Sequence, residues 1–306
     1  MKSKIYNILF LVLFVFSCNE GTERKKILSE NTGKQEEVIL VIEDFYWEGN
    51  IGEVLRNTFE KEIEGLPQSE HFFNLIQINN SEFSRFFRTH KNIIFVGDDF
   101  KDSYTKNKWA KAQIVMYIDS KSEEETFLKS CIKAFNFLNR KELENIKYTY
   151  QKGHNTKARK HIKDNFGIEI FLPTEYSVSL KEEHLFISDF HSFNENQDLL
   201  KYVLVYDFIP EQENIQKEII QYTDSILKHY IKGAVEGSFV QLDNRITLKE
   251  NDGLCRGMWT LKNGFMAGPF VMRTRYIDDR IVISLGLVFY PNESKRNYVR
   301  TFESLL

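Results

Sequence analysis

The sequence is poor in the residues that cross-link or stiffen a chain, with 3 cysteines and 5 prolines among 306 residues. Small scaffolds held together by disulfides need a much higher density of cysteine, and extended proline-rich chains need more proline. Both classes are therefore excluded. Cys131 and Cys255 lie in different regions of the chain, which favours two unpaired thiols.

The motifs that indicate common enzyme chemistry are also missing. The sequence contains neither the Gly-x-Ser-x-Gly elbow of serine hydrolases nor a Gly-rich loop that ends in Lys-Ser or Lys-Thr. It also lacks His-Glu-x-x-His and Cys-x-x-Cys, so neither a metal centre nor a cofactor is expected. The net charge of −3 gives no electrostatic reason to expect nucleic acid as a partner.

One apolar run is notable because it lies at the start of the chain. Ile5–Phe16 has 12 residues, follows Lys2 and Lys4, and is succeeded by Ser17-Cys18. A helix that crosses a bilayer needs about 20 residues, whereas a basic start and a short apolar core are typical of a secretory signal. We therefore expect residues 1–17 to be a signal peptide and the mature chain to be exported.

The end of this signal resembles the lipobox of bacterial lipoproteins, in which a small residue precedes the modified cysteine. The resemblance implies cleavage before Cys18 and attachment of a diacylglyceryl lipid, with palmitate among its expected fatty acids. The protein is then anchored to a membrane of the cell envelope, on its periplasmic side or at the cell surface. The alternative is an ordinary cleaved signal followed by an unmodified cysteine.

Composition and periodicity divide the mature chain into three parts, and the predicted fold class is α+β. Residues 18–36 are polar and lack apolar periodicity, which is typical of a flexible lipid tether and linker. Residues 37–164 alternate strands and helices, beginning with the apolar run Val38–Ile42, and indicate an N-terminal α/β domain. Residues 165–306 indicate an antiparallel sheet with packed helices, loosely similar to the PsbP-like fold. We place the boundary between Lys152 and Gly167.

Particular residues predict where elements begin and turn. Ser122 and Glu125 predict a capping box before a long helix. The apolar spacing of that helix predicts a buried side made of Leu128, Ile132, Phe135, Leu138 and Ile146. Asn263-Gly264 lies between two apolar stretches and predicts a two-residue hairpin.

The antiparallel sheet carries the strongest candidate site. Arg273 and Arg275 share one face of a strand because side chains alternate, and the hairpin brings Arg256 onto the neighbouring strand. Three guanidinium groups on one face can bind a carboxylate or a phosphate, so these arginines are a candidate anion-binding site. The alternative is that they form ion pairs with acids such as Asp278 or Glu303.

Two other groups of residues give weaker candidates. His184, Asp189 and His191 have metal-binding chemistry, but strand alternation separates His184 from the other two, so a hairpin surface is favoured. The basic stretch 152–163 could contact lipid headgroups near the anchor. Its flanking acids and its apolar stripe favour the solvated face of a helix instead.

An acidic turn follows the first predicted strand. Glu43, Asp44 and Glu48 lie at the carboxyl end of this strand, where ligands of α/β folds often bind. Paired carboxylates can hydrolyse a polymer without any linear motif, so an envelope-polymer hydrolase is the alternative function that these acids suggest. Acids that favour the start of a helix are the simpler explanation.

Several stretches resemble a family of Bacteroidetes lipoproteins known as domain of unknown function 4837. The stretches follow one another along nearly the whole mature chain: Trp47-Glu48-Gly49, Gly65-Leu66-Pro67-Gln68, Thr89-His90-Lys91-Asn92-Ile93, Trp109-Ala110-Lys111-Ala112-Gln113, Phe166-Gly167-Ile168, Arg256-Gly257-Met258-Trp259, Met266-Ala267-Gly268-Pro269-Phe270 and Lys295-Arg296-Asn297-Tyr298. The resemblance implies a cell-envelope lipoprotein and supplies no activity or catalytic residue. We therefore expect a non-catalytic module that binds a ligand or an envelope protein.

Overall fold

The computed structural model describes residues 27–194, 197–243 and 253–306. Their strands form two separate sheets, one of five strands and one of seven. Helices pack on both sheets, so the predicted α+β class is confirmed. Residues 1–17, expected to be a signal peptide, and Cys18 lie outside the described residues. None of the described helices is both long and apolar enough to span a membrane.

The first sheet has the order β2-β1-β3-β5-β4, and β4 is its one antiparallel strand. Its elements are β1 (Glu37–Val41), α1 (Asp44–Trp47), α2 (Asn50–Phe59), β2 (Asn74–Ile78), two 3₁₀ turns (Asn80–Glu82 and Phe87–Thr89), β3 (Asn92–Gly97), β4 (Ser103–Lys106), β5 (Ile114–Asp119) and α3 (Glu124–Lys152). Residues of β1 alternate between two apolar clusters, which explains its continuous apolar sequence: Val38 and Leu40 face α2 and α3, whereas Ile39 and Val41 face an aromatic layer on the other side.

Helix α3 buries only part of the predicted stripe. Leu138 and Ile146 are buried as predicted, whereas Leu128 and Ile132 are 40% and 44% exposed. Phe127 and Cys131, each one position earlier, are buried against the sheet instead. Neighbouring residues of a helix point about 100° apart, so the first turns of α3 are rotated by about that angle from the predicted orientation.

The second sheet is antiparallel throughout, in the order β6-β7-β8-β12-β11-β10-β9. Its elements are α4 (Thr156–Phe166), β6 (Ser177–Lys181), β7 (Leu185–Asn194), β8 (Gln197–Phe208), α5 (Ile215–Tyr230), β9 (Phe239–Leu242), β10 (Leu254–Lys262), β11 (Ala267–Ile277), β12 (Arg280–Phe289) and α6 (Arg296–Leu305). Helix α5 covers one face, and α4 and α6 cover the other. Helix α4, which the boundary at 164 and 165 divides, packs as a whole on this second sheet.

Local sequence explains several element ends. The Asn155 side chain accepts the Ala158 N–H at 3.0 Å and caps α4, which ends at Gly167 with a left-handed φ of 70°. Asn263 has φ 56° and lies in the turn between β10 and β11, but residues 263–266 separate the two strands, so the predicted two-residue loop is wrong in length. The capping box is wrong: Ser122 donates its hydroxyl to the Asp119 carbonyl at 3.1 Å, and α3 begins at Glu124 without a side-chain cap.

Residues 29–36 lie against the folded body, although the sequence assigns them to the linker. Ser29 pairs with Ala110 and Thr32 pairs with His90 in parallel bridges. Gly33 has φ +96°, and a β-carbon there would lie 2.2 Å from His90 Nε2. Because Gly33 has no side chain, this polar segment can pass directly against the His90 ring. Backbone hydrogen bonds, and not a buried apolar stripe, hold the segment on the body.

Candidate ligand pocket between the two halves

Helix α6 joins the two halves of the molecule through its amino end. The Glu70 carboxylate, from the first half, accepts the N–H groups of Lys295 at 2.8 Å and of Arg296 at 3.0 Å and the hydroxyl of Ser294. The first N–H groups of a helix have no partner within the helix and carry partial positive charge. Glu70 therefore caps α6 across the boundary between the halves.

Buried polar contacts continue along α6 towards α3. The Arg300 side chain is completely buried and donates to Glu303 and to the Asn139 side chain of α3. Ser304 donates its hydroxyl to the Leu143 carbonyl at 2.7 Å. Arginine in the core is stable only when its charge is paired and its donors are used, so these contacts fix α6 in register with α3.

Glu36 lies in the same interface and differs from every other buried acid here. Its side chain is 0% exposed and its φ is 58°, in the left-handed region that only glycine adopts easily. Neither carboxyl oxygen has a hydrogen-bond partner among the described residues, and the nearest cation atom is Arg296 Nε at 3.9 Å. Burial raises the pKa of Glu36 to about 7, although Arg300 and Arg296 lower it. No sequence motif indicated this residue.

A cavity of about 390 Å³ opens beside this interface. It is lined by Gln35, Tyr150, Pro173, Tyr176, Lys201, Tyr290, Glu293, Ser294, Asn297, Tyr298, Thr301 and Phe302. Gln35 and Tyr150 come from the first half and the other lining residues from the second. Ligand pockets commonly form where two such units meet, with an apolar lining and a few polar groups.

Lys201 lies on the wall of this pocket with only 8% of its surface exposed. Its ammonium nitrogen is 4.0 Å from the centroid of the Phe190 ring and 4.9 Å from that of Tyr176, and it donates to Glu175 at 3.0 Å. Aromatic faces and one carboxylate together compensate for the loss of water around a buried ammonium group. The lysine is thus held in place before any ligand arrives.

Four tyrosines, Tyr150, Tyr176, Tyr290 and Tyr298, also line the pocket. Tyr290 and Tyr298 meet edge to face with ring centroids 5.6 Å apart. Burial raises the pKa of Tyr176 and of Tyr298, so both hydroxyls stay protonated at neutral pH. Within the described part of the chain, the hydroxyls of Tyr150, Tyr176 and Tyr298 have no hydrogen-bond partner. They are therefore free to bond a ligand.

The three arginines predicted from the sequence do lie on one face of the second sheet, under the last turn of α6. Arg256 pairs with the Glu303 carboxylate, and Arg273 donates to the Glu303 carbonyl at 3.3 Å. Arg275 donates to the Ser284 hydroxyl at 3.0 Å and to the main-chain oxygen of Leu306. Burial, together with neighbouring Arg273, lowers the pKa of Arg275 to about 10. These groups contact the Glu303 carboxylate and the partially negative carboxyl end of α6. Binding of a separate anion stays a prediction.

The three residues with metal-binding chemistry, His184, Asp189 and His191, lie at two separate positions. His184 Nδ1 lies 2.9 Å from a carboxylate oxygen of buried Asp207, which also pairs with Arg280. Asp189 and His191 share a face of β7, with 3.5 Å between His191 Nε2 and Asp189 Oδ2. In the described ranges, no group of three or more His, Cys, Asp or Glu side chains is arranged to hold a metal ion.

The acidic turn at the end of β1 is a hydrogen-bonded surface feature. Asp44 accepts the Gln77 amide at 2.9 Å, and its own N–H donates to the Asn79 side chain at 3.0 Å. Glu43 accepts the Asn80 amide at 2.9 Å. These bonds fix the turn between β1 and α1 against the residues that follow β2.

The basic stretch 152–163 forms α4 and the turn before it. Arg159 and Lys163 both donate to Glu169, at 2.7 and 3.1 Å, and Arg159 also lies over the Phe171 ring. Lys157 and Lys160 are exposed. Part of this charge is therefore neutralised by the loop that follows the helix.

Comparison with protein-family models gives two matches, one for each half. Residues 155–306 match the family described as Domain of unknown function (DUF4837), and residues 31–151 match the family described as Domain of unknown function (DUF8532). The first match agrees with the resemblance found in the sequence, but only for the second half of the chain. No curated protein and no solved structure matches the chain. The chain therefore carries two consecutive domains of unknown function, and the pocket lies where they meet.

Proposed function

We propose that this protein is an exported lipoprotein, anchored through Cys18, that binds a polyhydroxylated ligand such as a sugar of an envelope glycan without transforming it. The observation that carries this proposal is the set of unpartnered tyrosine hydroxyls beside the buried Lys201 in the pocket between the two domains.

The chemistry of the wall favours such a ligand. Tyrosine offers a flat apolar ring that can cover the C–H face of a sugar and a hydroxyl that can bond to its oxygens. Gln35, Asn297 and Thr301 add amide and hydroxyl groups around the same space. A purely apolar ligand would leave these groups without hydrogen bonds, at a cost of about 1–3 kcal/mol each.

The same wall favours binding over hydrolysis. Glycoside hydrolysis usually needs two carboxyl groups on opposite sides of the scissile bond. Among the described lining residues, Glu293 is the single acid. Glu43 and Asp44, two of the three acids suggested from the sequence, bond to Asn80 and Gln77 on another part of the surface, and the third, Glu48, is not among the lining residues either.

The proposal is tested with the full mature chain and a panel of mono- and disaccharides, using saturation-transfer NMR followed by titration calorimetry. For a saccharide that binds, Tyr176→Phe and Tyr298→Phe should each weaken binding by roughly 2- to 10-fold, because each removes one hydrogen bond. Tyr298→Ala should weaken it further, because the ring is lost as well. Tyr148→Phe is the matched control, since Tyr148 is 59% exposed on α3 and outside the pocket.

Two outcomes would reject this function. Failure of every saccharide in the panel to bind the unaltered protein would reject the ligand class. Binding that is lost equally in the Tyr148→Phe control would show that the ligand lies elsewhere.

A further inference from the structure

The described chain begins next to a small surface of distinctive composition. Ile27 is 95% exposed, and Ser29 and Thr32 then pair with residues beside Trp109 and Arg88. Ser29 accepts the Lys111 N–H at 2.9 Å, which ties the entering chain to the loop before β5. The point where the chain enters the body is thus fixed at the amino ends of β3 and β5.

The length of chain before this point limits how far the body can be from its anchor. Ile27 follows Cys18 by nine residues. Nine residues span at most about 30 Å even when fully extended. A lipid on Cys18 therefore keeps this end of the first domain within about 30 Å of the bilayer surface, and the surface around Ile27 is the part held nearest to it.

This surface, which we call the anchor face, combines basic and aromatic side chains. Phe86 is 81% exposed, and Arg85, which precedes it, is exposed as well. The Lys108 nitrogen lies 4.4 Å from the Trp109 ring centroid, and the Arg88 guanidinium lies 5.9 Å from it. The anchor face comprises Ile27, Arg85, Phe86, Arg88, Lys108 and Trp109.

The charge of the anchor face is not cancelled by its neighbours. Lys111 and Glu30 pair with each other at 2.6 Å, and Glu82 is the remaining acid of the 3₁₀ turn that precedes Arg85. Arg85, Arg88 and Lys108 form no ion pair within the described residues. Basic side chains near a negatively charged bilayer are attracted to it, and tryptophan and phenylalanine favour the headgroup region.

We propose that the anchor face docks on the surface of an anionic phospholipid bilayer and sets the orientation of the protein on its membrane. Arg85, Arg88 and Lys108 contact lipid phosphates, and Ile27, Phe86 and Trp109 enter the headgroup layer. Helix α1, which ends at Trp47 and follows the carboxyl end of β1, then lies on the side of the sheet away from the membrane, because β1 and β3 are parallel. The orientation depends on the proposed anchor, whereas the lipid affinity of the face does not.

The test uses the full mature chain with Cys18→Ser, so that lipid attachment plays no part. Vesicles of phosphatidylglycerol and phosphatidylcholine are compared with vesicles of phosphatidylcholine alone in a sedimentation assay. We expect binding to the anionic vesicles that weakens with salt. Arg85→Gln, Arg88→Gln and Lys108→Gln together should lower the partition coefficient by roughly 100-fold, since each basic residue contributes about 5-fold.

A matched control removes the same number of charges elsewhere. Lys152→Gln, Lys157→Gln and Lys160→Gln alter exposed lysines of the α3 end and α4, the other basic region of the body. The control should bind anionic vesicles nearly as well as the unaltered chain. Equal loss in the control would show that net charge rather than the anchor face determines binding, and unchanged binding of the triple anchor-face variant would overturn the proposal.

Tryptophan fluorescence gives an independent test, because it measures contact with lipid in a protein whose anchor face is unaltered. The chain has 3 tryptophans, and Trp109 is the one that lies on the anchor face. Brominated lipids should quench Trp109 and leave Trp47 and Trp259 unaffected, so Trp109→Phe should abolish the quenching. Quenching that survives Trp109→Phe would place another surface on the membrane and reject the proposed orientation.

Discussion

At the scale of single residues, Glu36 has the least favourable surroundings that we describe. A buried carboxyl without hydrogen bonds and a left-handed backbone each cost energy, on the order of 1–3 kcal/mol apiece. Such features persist when the surrounding structure determines them, and here the main-chain oxygen of Glu36 accepts the Asn74 N–H at 3.0 Å. Gln35, its neighbour, lines the pocket. The strained residue therefore lies directly beside the proposed binding site.

Glu36 makes stability depend on pH in a direction opposite to that of most acids. Its pKa rises from 4.5 to about 7 on folding, so the native state keeps a proton that the unfolded chain releases between these values. Stability is then lost as pH rises from about 4.5 to 7. We predict that Glu36→Gln stabilises the protein by up to about 3 kcal/mol at pH 8 and by much less at pH 4.5.

Thermal unfolding across this pH range checks the prediction. The difference in melting temperature between Glu36→Gln and the unaltered protein should grow from pH 4.5 to 7 and then stay constant. Glu236→Gln, at an exposed turn, should show no such trend. A variant that is less stable at every pH would show that the ionised carboxylate is needed, as a partner of Arg296.

At the scale of secondary-structure elements, α6 is held at both ends by other parts of the fold. Glu70 caps its amino end, and three arginines of the second sheet contact its carboxyl end. Both arrangements match the partial charges at the ends of a helix. This explains how a helix of 10 residues, too short to be stable alone, is fixed between two domains.

The contacts between the arginines and the carboxyl end of α6 predict that removing these side chains destabilises the protein. Arg273→Ala together with Arg275→Ala removes hydrogen bonds from charged donors to the end of α6, and we expect the unfolding free energy to fall by about 3 kcal/mol. Urea denaturation measures the change, and Arg85→Ala, at an exposed site, should have little effect. Unchanged stability combined with lost phosphate binding would instead support the anion site predicted from the sequence.

The sequence predicted elements best where local residues determine them. The turn between β10 and β11 depends on backbone preferences within a few residues, and it lies at Asn263-Gly264 as predicted, although four residues and not two separate the strands. Strand β4 was missed because its four residues are all exposed and have no apolar alternation. The buried stripe of α3 was wrong by one position at Leu128 and Ile132, because two apolar stripes lie side by side there, whereas Leu138 and Ile146 are buried as predicted.

The candidate site was less predictable than the elements around it. Lys201, Tyr150 and Tyr298 come from β8, α3 and α6 and meet only when both sheets are assembled. No spacing of residues along the chain indicates that these three side chains lie close together. The arginine face was found because strand alternation is local, but its partner Glu303 could be named only as one of several acids.

At the scale of the whole molecule, the proposed lipid anchor limits where the two domains can lie relative to the membrane. The proposed anchor would determine where the protein resides, and the anchor face and the pocket would then determine what it meets there. Residues 29–36 do not lengthen the tether between anchor and body, because they pair with Thr89, His90 and Ala110. The protein is therefore expected to sit close to its bilayer and not to extend far from it.

Replacing the anchoring residue tests this arrangement. We predict that Cys18→Ser blocks lipid attachment and the cleavage that follows it, leaving an unlipidated precursor in the membrane fraction. Labelling with radioactive palmitate measures attachment, and Cys131→Ser is the control because Cys131 is buried in α3. Incorporation of label into the Cys18→Ser protein would contradict the anchor assignment.

The position of α6 in the chain also has a consequence for biogenesis. Every strand of both sheets is synthesised before α6, yet α6 carries the side chains that join the two halves. Until α6 is made, the Glu70 carboxylate and the part of the second sheet beneath Val299 and Phe302 are uncovered. Completion of the second sheet's core and of its docking on the first half are thus late steps, and premature termination upstream of α6 leaves an apolar surface exposed to solvent.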